Sequence, residues 1–195
     1  MVDPGEAPAL RAQLDGLDRA VYKAIAVTPT PGLDRAFGTL SRAADHSKLW
    51  VATAALLAAS GPSGRRAAAD GLAAVAVTSA VVNLVLKPMG DRRRPDRAVD
   101  RVPVSRQVDM PESTSFPSGH SGSAFAFASA VAHGRPPFAG PIQALATLVA
   151  YSRVHTGVHY PGDVIVGSTV GSIVGPLTGY ALRRWRMARG GRPLS

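Results

Sequence analysis

Cysteine is absent from the 195-residue chain. Its absence excludes disulfides, thiolate metal sites and cysteine nucleophiles, and leaves the compartment open. Aromatic residues reach only 6% and charged residues 18%. So few rings argue against a surface that stacks nucleic-acid bases between cations. Lysine is scarce as well: 19 of the 22 basic residues are arginine and three are lysine, which singles out Lys87. The first nine residues include Pro4, Gly5 and Pro8 and lack the basic-then-apolar pattern of a cleavable signal peptide.

Apolar residues, at 46%, are plentiful enough for one domain with a substantial core. The net charge of +9 would suit a phosphate backbone, since clustered arginines release its counterions. Here, however, the arginines fall between long uncharged stretches, an arrangement that membrane contact explains better and that implies no nucleic-acid partner.

Leu10, Leu14, Leu17, Val21 and Ile25 recur at helical spacing with Arg11, Asp15, Asp18 and Arg19 between them, the pattern of an amphipathic helix. It could lie on a membrane surface or pack on the domain. Pro29 and Pro31 end it, and a weaker helix begins near Asp34. Uncharged blocks then alternate with charged punctuation at 49–64, 71–86, 113–132, 136–152 and 164–182. Most hold 16 to 19 residues, and at a rise of about 1.5 Å each they reach about 24 to 28 Å, marginal for a hydrocarbon core of about 30 Å. Gly167, Gly171, Gly175 and Gly179, every fourth residue, permit the close helix packing used in lipid. A mean hydropathy of +0.08 is low for five spans and keeps a soluble all-α domain as the alternative.

The expected fold is therefore an all-α integral membrane bundle of five to six helices, the sixth supplied by the amino-terminal region. Residues 1–48 form an amphipathic, interfacial helical region, 49–182 the membrane core and 183–195 a basic tail. Arg65, Arg66, Arg135 and the tail arginines Arg183, Arg184, Arg186, Arg189 and Arg192 fall on one side if every block spans, and that side should be cytoplasmic. The loop from Lys87 to Glu112 and the turn from Ser152 to Asp163 then share the extracytoplasmic face of a multi-pass plasma-membrane protein. The loop's own arginines pull against this orientation unless they are ligands.

Three short segments carry the chemistry. His159 and Asp163 can form a pair in which the carboxylate fixes the tautomer of an attacking imidazole; the plainer reading is an exposed histidine beside a helix-capping aspartate. Pro117-Ser118-Gly119-His120 precedes a small-residue helix, so its N–H groups and hydroxyl could face an anion beside a histidine placed to protonate a leaving oxygen; it could equally be an ordinary serine-capped helix start. Lys87 and Arg94 flank a loop broken by Pro88, Gly90 and Pro95 and could converge on one phosphate, with Arg153 joining them, or serve as interfacial anchors. His155, His159 and Asp163 also stand at zinc-ligand spacing, but Pro161-Gly162 breaks the helix and no second acid sits where a hydrolase base would. No metal and no cofactor are expected.

As an ordered set, Lys87…Arg94-Pro95, Pro117-Ser118-Gly119-His120 and Ser152-Arg153…His159…Asp163 resemble the type 2 phosphatidic acid phosphatase superfamily at every motif position. That resemblance covers about residues 49–182. It implies a metal-independent phosphatase on a usually six-helix core, acting on lipid phosphates. In that reading His159 attacks phosphorus and becomes phosphohistidine, Asp163 orients it, and His120 protonates the leaving alcohol. Lys87, Arg94, Ser118, Gly119 and Arg153 then hold the phosphoryl oxygens. Arg92, Arg93, Arg97, Arg101 and Arg106 exceed the needs of one phosphate and suggest a diphosphate, an anionic headgroup or anionic lipid as partner. The same motifs resemble those of vanadium-dependent haloperoxidases, an oxidoreductase alternative disfavoured by the short, apolar chain. A non-enzymatic adaptor would leave the complete site without use.

Overall fold

The computed structural model describes residues 6–134 and 136–190; Pro4, Gly5, Arg135 and Arg192 lie outside the described residues. Seven α-helices follow one another: α1 (Glu6–Val27), α2 (Pro31–Ala43), α3 (Lys48–Ala59), α4 (Pro62–Ala80), α5 (Gly119–Gly134), α6 (Pro136–His155) and α7 (Pro161–Gly190). The described residues contain no strand, so the all-α expectation holds. The expected count of five to six helices does not. Each uncharged block holds one helix, and the amino-terminal segments on either side of Pro29 add two more, of 22 and 13 residues.

Helix ends follow local chemistry. α3 stops at Ala59, short of the expected residue 64, because Gly61 adopts φ 105° and Pro62 opens α4. A left-handed glycine followed by a first-turn proline ends one helix and starts the next. Past Ala80 the α4 helix widens into a π-helical stretch, Val81–Leu86, and closes in a 3-10 turn, Lys87–Met89. Pro88 has no N–H to give the ladder, and Lys87 thereby sits at the rim of the bundle.

α5 is the hub, packed against α4, α6 and α7. Ala124, Ala126, Phe127, Ala128, Ala130 and Val131 are fully buried, and the Phe127 ring lies 5.2 Å from that of Trp50 on α3. The glycine series of α7 explains how close the central pair comes. A Cβ at Gly167, Gly171 or Gly175 would meet a carbonyl oxygen of α5 or its preceding residue, those of Ser118, Gly122 and Ala126, at 2.3, 2.1 and 2.5 Å. The fourth, Gly179, faces only the Arg183 side chain.

Among the described residues two helices are long and apolar enough to cross a membrane, Pro62–Met89 and Pro161–Arg189, and only 33% and 22% of their most apolar windows is buried. Ile165, Ile173 and Leu177 on α7 and Leu84 and Val85 beyond α4 point outward, as do Leu10, Leu14 and Leu17 of α1. An outward apolar belt of this extent fits a lipid surround. α3, with 12 residues, is shorter than a span. At one end of the bundle, Arg186 near the end of α7 donates to the buried Asp70 of α4 at 2.6 Å. At the other end the long connection between α4 and α5 folds over the α6–α7 turn.

That connection is fastened to the amino-terminal helices by a buried arginine. Arg106 Nε donates to Asp34 Oδ1 at 2.7 Å, Nη1 to the carbonyls of Ile25 and Ala26 at 3.0 and 3.3 Å, and Nη2 to the Thr28 carbonyl and, at 3.0 Å, Thr30 Oγ1. A guanidinium removed from water needs this full set of acceptors.

The α5–α7 contact yields a test. Gly171→Ala places a methyl against backbone that cannot swing aside and should cost roughly 1–3 kcal/mol, read as a lower thermal midpoint of the detergent-solubilised protein. Gly16→Ala, where nothing lies within 4 Å, should leave the midpoint unchanged or raise it.

Candidate active site

The site forms where three chain segments meet at one end of α5. The α6–α7 turn supplies His159, the first turn of α7 supplies Asp163, and the α4–α5 connection supplies Arg92, Arg94 and Ser115. α7 starts at Pro161, so Asp163 falls in its first turn, where a carboxylate is favoured by the free N–H groups. Its Oδ2 accepts from the Tyr160 N–H at 2.9 Å and from Ser115 Oγ, and Oδ1 accepts from Arg92 Nη1 at 2.9 Å. His159 Nδ1 lies 3.5 Å from the same Oδ2.

The other side of the imidazole faces a cation. Arg94 Nη1 stands 3.2 Å from His159 Nε2, and a guanidinium can only donate there. Nε2 must then carry the lone pair and Nδ1 the proton, directed at Asp163 and Ser115 Oγ, the latter 3.4 Å away. Burial pushes His159 down to about 3, against the opposing pull of Asp163, with Arg94 and Arg153 adding to the depression. The result is a neutral imidazole with its lone pair toward an arginine.

Arg94 is itself held by acceptors. Nε donates to the Ser113 carbonyl at 2.8 Å, Nη1 to the Val158 carbonyl at 2.8 Å and Nη2 to the Thr114 carbonyl at 3.2 Å. Lys87 Nζ reaches Ser113 Oγ at 2.8 Å, which places the two cations of the first motif on one serine. A cleft of about 470 Å³ opens beside Arg94, bordered by Asp96, Arg97, Gln107 and Met110.

α5 begins at Gly119, two residues earlier than expected, so His120 lies in its first turn. Ser118 caps that helix, its Oγ accepting from the Ser121 N–H at 3.4 Å and from Ser121 Oγ at 3.0 Å, while its own N–H donates to the Asp163 carbonyl at 3.0 Å. The plainer reading of the serine as a helix cap and its place beside His120 are thus realised together. His120 Nε2 meets Asp45 Oδ1 at 2.8 Å. Arg153, buried on α6, donates Nη1 to Ser41 Oγ at 2.6 Å, lies 3.5 Å from Asp45 Oδ1, and has a buried Nε with no partner.

The structure therefore brings His159, Asp163 and Arg94 into direct contact, joins Lys87 to Arg94 through Ser113, and joins His120 to Arg153 through Asp45. It does not bring His155 into that group. His155 Nε2 turns to Asp34 Oδ1 at 3.1 Å, away from His159 and Asp163, and no metal-holding cluster occurs among the described residues.

Several of the additional arginines have internal employment. Arg92 binds Asp163 together with Asp15 and Asp18 of α1 at 2.9 and 2.7 Å. Arg97 donates to the Val108 carbonyl at 2.7 Å, and Arg106 anchors the connection as described. Sequence reasoning missed Ser115, Asp45 and the orienting part of Arg92. Ser115, two residues before the Pro117-Ser118-Gly119-His120 segment, has no signature of its own, and Asp45 lies 75 positions from its partner.

An all-helical bundle that gathers a neutral imidazole, its carboxylate and several guanidinium groups at one end has the makings of a phosphate-handling enzyme. Residues 68–187 match the model of the PAP2 superfamily, and the chain belongs to that family. It is 34% identical over 152 residues to the decaprenylphosphoryl-5-phosphoribose phosphatase of Mycobacterium tuberculosis, covering 78% of this chain and 82% of that protein. The protein of the same name from Mycolicibacterium smegmatis is 36% identical, over 73% of this chain and 75% of its own. Among solved structures, Aquifex aeolicus LpxE superposes with a TM-score of 0.67 at 24% identity, covering 83% of this chain and 94% of that one. The PAP2-type phosphatidylglycerolphosphate phosphatase of Bacillus subtilis gives 0.63 at 22%, over 94% and 90%. The protein is accordingly a phosphatase, and its apolar α4 and α7 agree with a membrane protein.

The state of His159 sets a pH dependence of stability. The folded chain holds His159 neutral down to about 3 whereas the unfolded chain binds a proton near the ordinary value of 6.5. Between those values the unfolded state carries more protons, so stability rises with pH and is lost on acidification. The melting midpoint should fall from pH 6.5 toward 4, and His159→Asn should show a shallower slope over that interval.

Proposed function

We propose that the protein is an integral, multi-pass membrane hydrolase of lipid phosphates or diphosphates that works through a phosphohistidine. The observation that carries this reading is His159 Nε2, neutral and 3.2 Å from Arg94 Nη1, with Asp163 behind the opposite nitrogen. A phosphoryl oxygen held by Arg94 brings phosphorus next to that lone pair.

In the first step Nε2 forms a bond to phosphorus while the bond from phosphorus to the lipid oxygen breaks, and His120 gives its proton to that oxygen. Asp163 and Ser115 accept from Nδ1 as positive charge grows on the ring. In the second step His120 takes a proton from water, the water oxygen bonds phosphorus, and the N–P bond breaks to restore neutral His159 and release phosphate. Lys87, Arg94, Arg153, Ser118 and Gly119 surround the transferring group and answer the negative charge that develops on its oxygens. No step draws on a metal.

Candidate substrates are phosphatidic acid, phosphatidylglycerol phosphate, a polyprenyl diphosphate and a polyprenyl-linked phosphosugar. The mycobacterial relatives favour the last. The substrate would reach the site laterally from the plasma membrane, with its headgroup on the extracytoplasmic face. The separation of the arginine-rich ends of α4 and α7 from the site supports that orientation. Exposed Arg93 and Arg101 remain available to anionic headgroups.

Phosphate release by the detergent-purified protein against those four lipids, with EDTA present, tests this reading. Turnover of at least one lipid is expected, unaffected by the chelator, and His159→Ala should lower it by about a thousandfold or more. The rate should also decline on the alkaline side as His120 loses its proton. Loss of activity with EDTA, or equal release by His159→Ala, would defeat the mechanism.

A further inference from the structure

Asp45 lies in the turn Asp45–Ser47 between α2 and α3, outside the residues 68–187 that define the family match. Its Oδ1 is 2.8 Å from His120 Nε2 and 3.5 Å from Arg153 Nη1. The turn that presents it is strained: His46 and Ser47 both adopt left-handed backbone angles, φ 54° and 60°, without being glycine. Such conformations persist where the surroundings enforce them, and they gather at functional sites. The Ser41 side chain of α2 holds Arg153 at 2.6 Å, so the same stretch of chain places both the carboxylate and the arginine. Asp45 remains ionised, its carboxyl held below the ordinary range chiefly by the bond to His120.

We propose that Asp45 is a positioning residue for the acid of the reaction: it grips Nε2 of His120 and leaves Nδ1 as the nitrogen that hands its proton to the leaving oxygen. The proposal rests on the phosphatase reading above. The site then holds two imidazoles, each backed by a carboxylate and each given an opposite duty. Asp163 faces the N–H of a neutral ring whose other nitrogen must attack. Asp45 faces a ring that must start out charged.

The surroundings of His120 make such a partner necessary. Burial works against an imidazolium there, as do Arg153 from α6 and Lys87 from the end of α4, and together they hold the ring below its ordinary value; Asp45, reaching in from the α2–α3 turn, is the charge that opposes them. His46 lies near Asp45 and acts on it in turn. Without the carboxylate three influences remain, all against protonation.

The test compares wild type, Asp45→Asn and Asp45→Glu with the lipid that wild type hydrolyses, over pH from about 5 to 9. Asp45→Asn keeps a side chain of the same shape and removes the charge. It should lower kcat by about 10- to 100-fold with KM within about twofold, and move the alkaline limb of the rate profile down by roughly one pH unit. Asp45→Glu should recover much of the lost rate and return the limb toward its original position. In the burst phase with p-nitrophenyl phosphate, whose leaving group departs without a proton, Asp45→Asn should match wild type. A merely structural residue would slow both leaving groups alike.

A titration of the His120 ring by NMR, which needs no turnover, separates this inference from the phosphatase reading. Its midpoint should fall in Asp45→Asn. An unmoved midpoint and alkaline limb would overturn the proposal, even if every lipid assay succeeded. So would a lowered KM with an unchanged limb, which would mark the carboxylate as an obstacle in the phosphate seat. A shifted midpoint in a protein that cleaves none of the lipids would uphold the Asp45–His120 pairing and count only against the lipid reading.

Discussion

A carboxylate taken wholly out of water must find partners for both oxygens, and Asp163 finds them in Tyr160, Ser115, Arg92 and His159. These partners come from the α6–α7 turn and from a connection more than 40 positions earlier in the chain. The need to satisfy one charge therefore fixes where two remote segments lie. It also fixes the imidazole, since the only nitrogen left for Arg94 is the one without a proton. Arg92 extends the constraint outward to Asp15 and Asp18, and Asp18 also accepts from the Gly162 N–H at 2.7 Å, so that α1 is tied directly to the reacting end of the bundle.

Backbone proximity is the second constraint. Ser118 donates its N–H to the carbonyl of Asp163, and that bond exists because α7 approaches α5 along a line of glycines beginning at Gly167. Four-residue glycine spacing is thus part of the active site as well as of the core. The motif serine and the motif aspartate are brought together by the packing of residues that carry no side chain at all.

Much of this was legible in the sequence. The uncharged blocks located α3 to α7, the fourfold glycine spacing located the tight helix pair, and the three motifs named the residues that meet. What escaped shares a physical cause. Helix α2 is short, and it buries Asp34 and Ser41 where an exposed polar face is expected, so its full part in the bundle was hidden. Arg92, Arg97 and Arg106 looked like surplus charge for a ligand because a sequence does not show which acceptors a loop will fold against. Asp45 and Ser115 are single polar residues whose meaning lies entirely in a long-range contact. Neither spacing nor periodicity can encode such a contact.

The amino-terminal region, α1, α2 and the turn after them, contributes four carboxylates in contact with the rest of the chain: Asp15 and Asp18 on Arg92, Asp34 on Arg106 and His155, Asp45 on His120 and Arg153. The two portions of the molecule are electrically complementary, the first supplying anions and the second the cations they neutralise. A fragment starting at Leu49 would keep every motif residue yet strand Arg106 without its counter-ion and remove the charge beside His120. The smallest piece that can be excised with its active end intact is consequently set by ion pairing and begins at α1, well before the stretch that the motifs delimit.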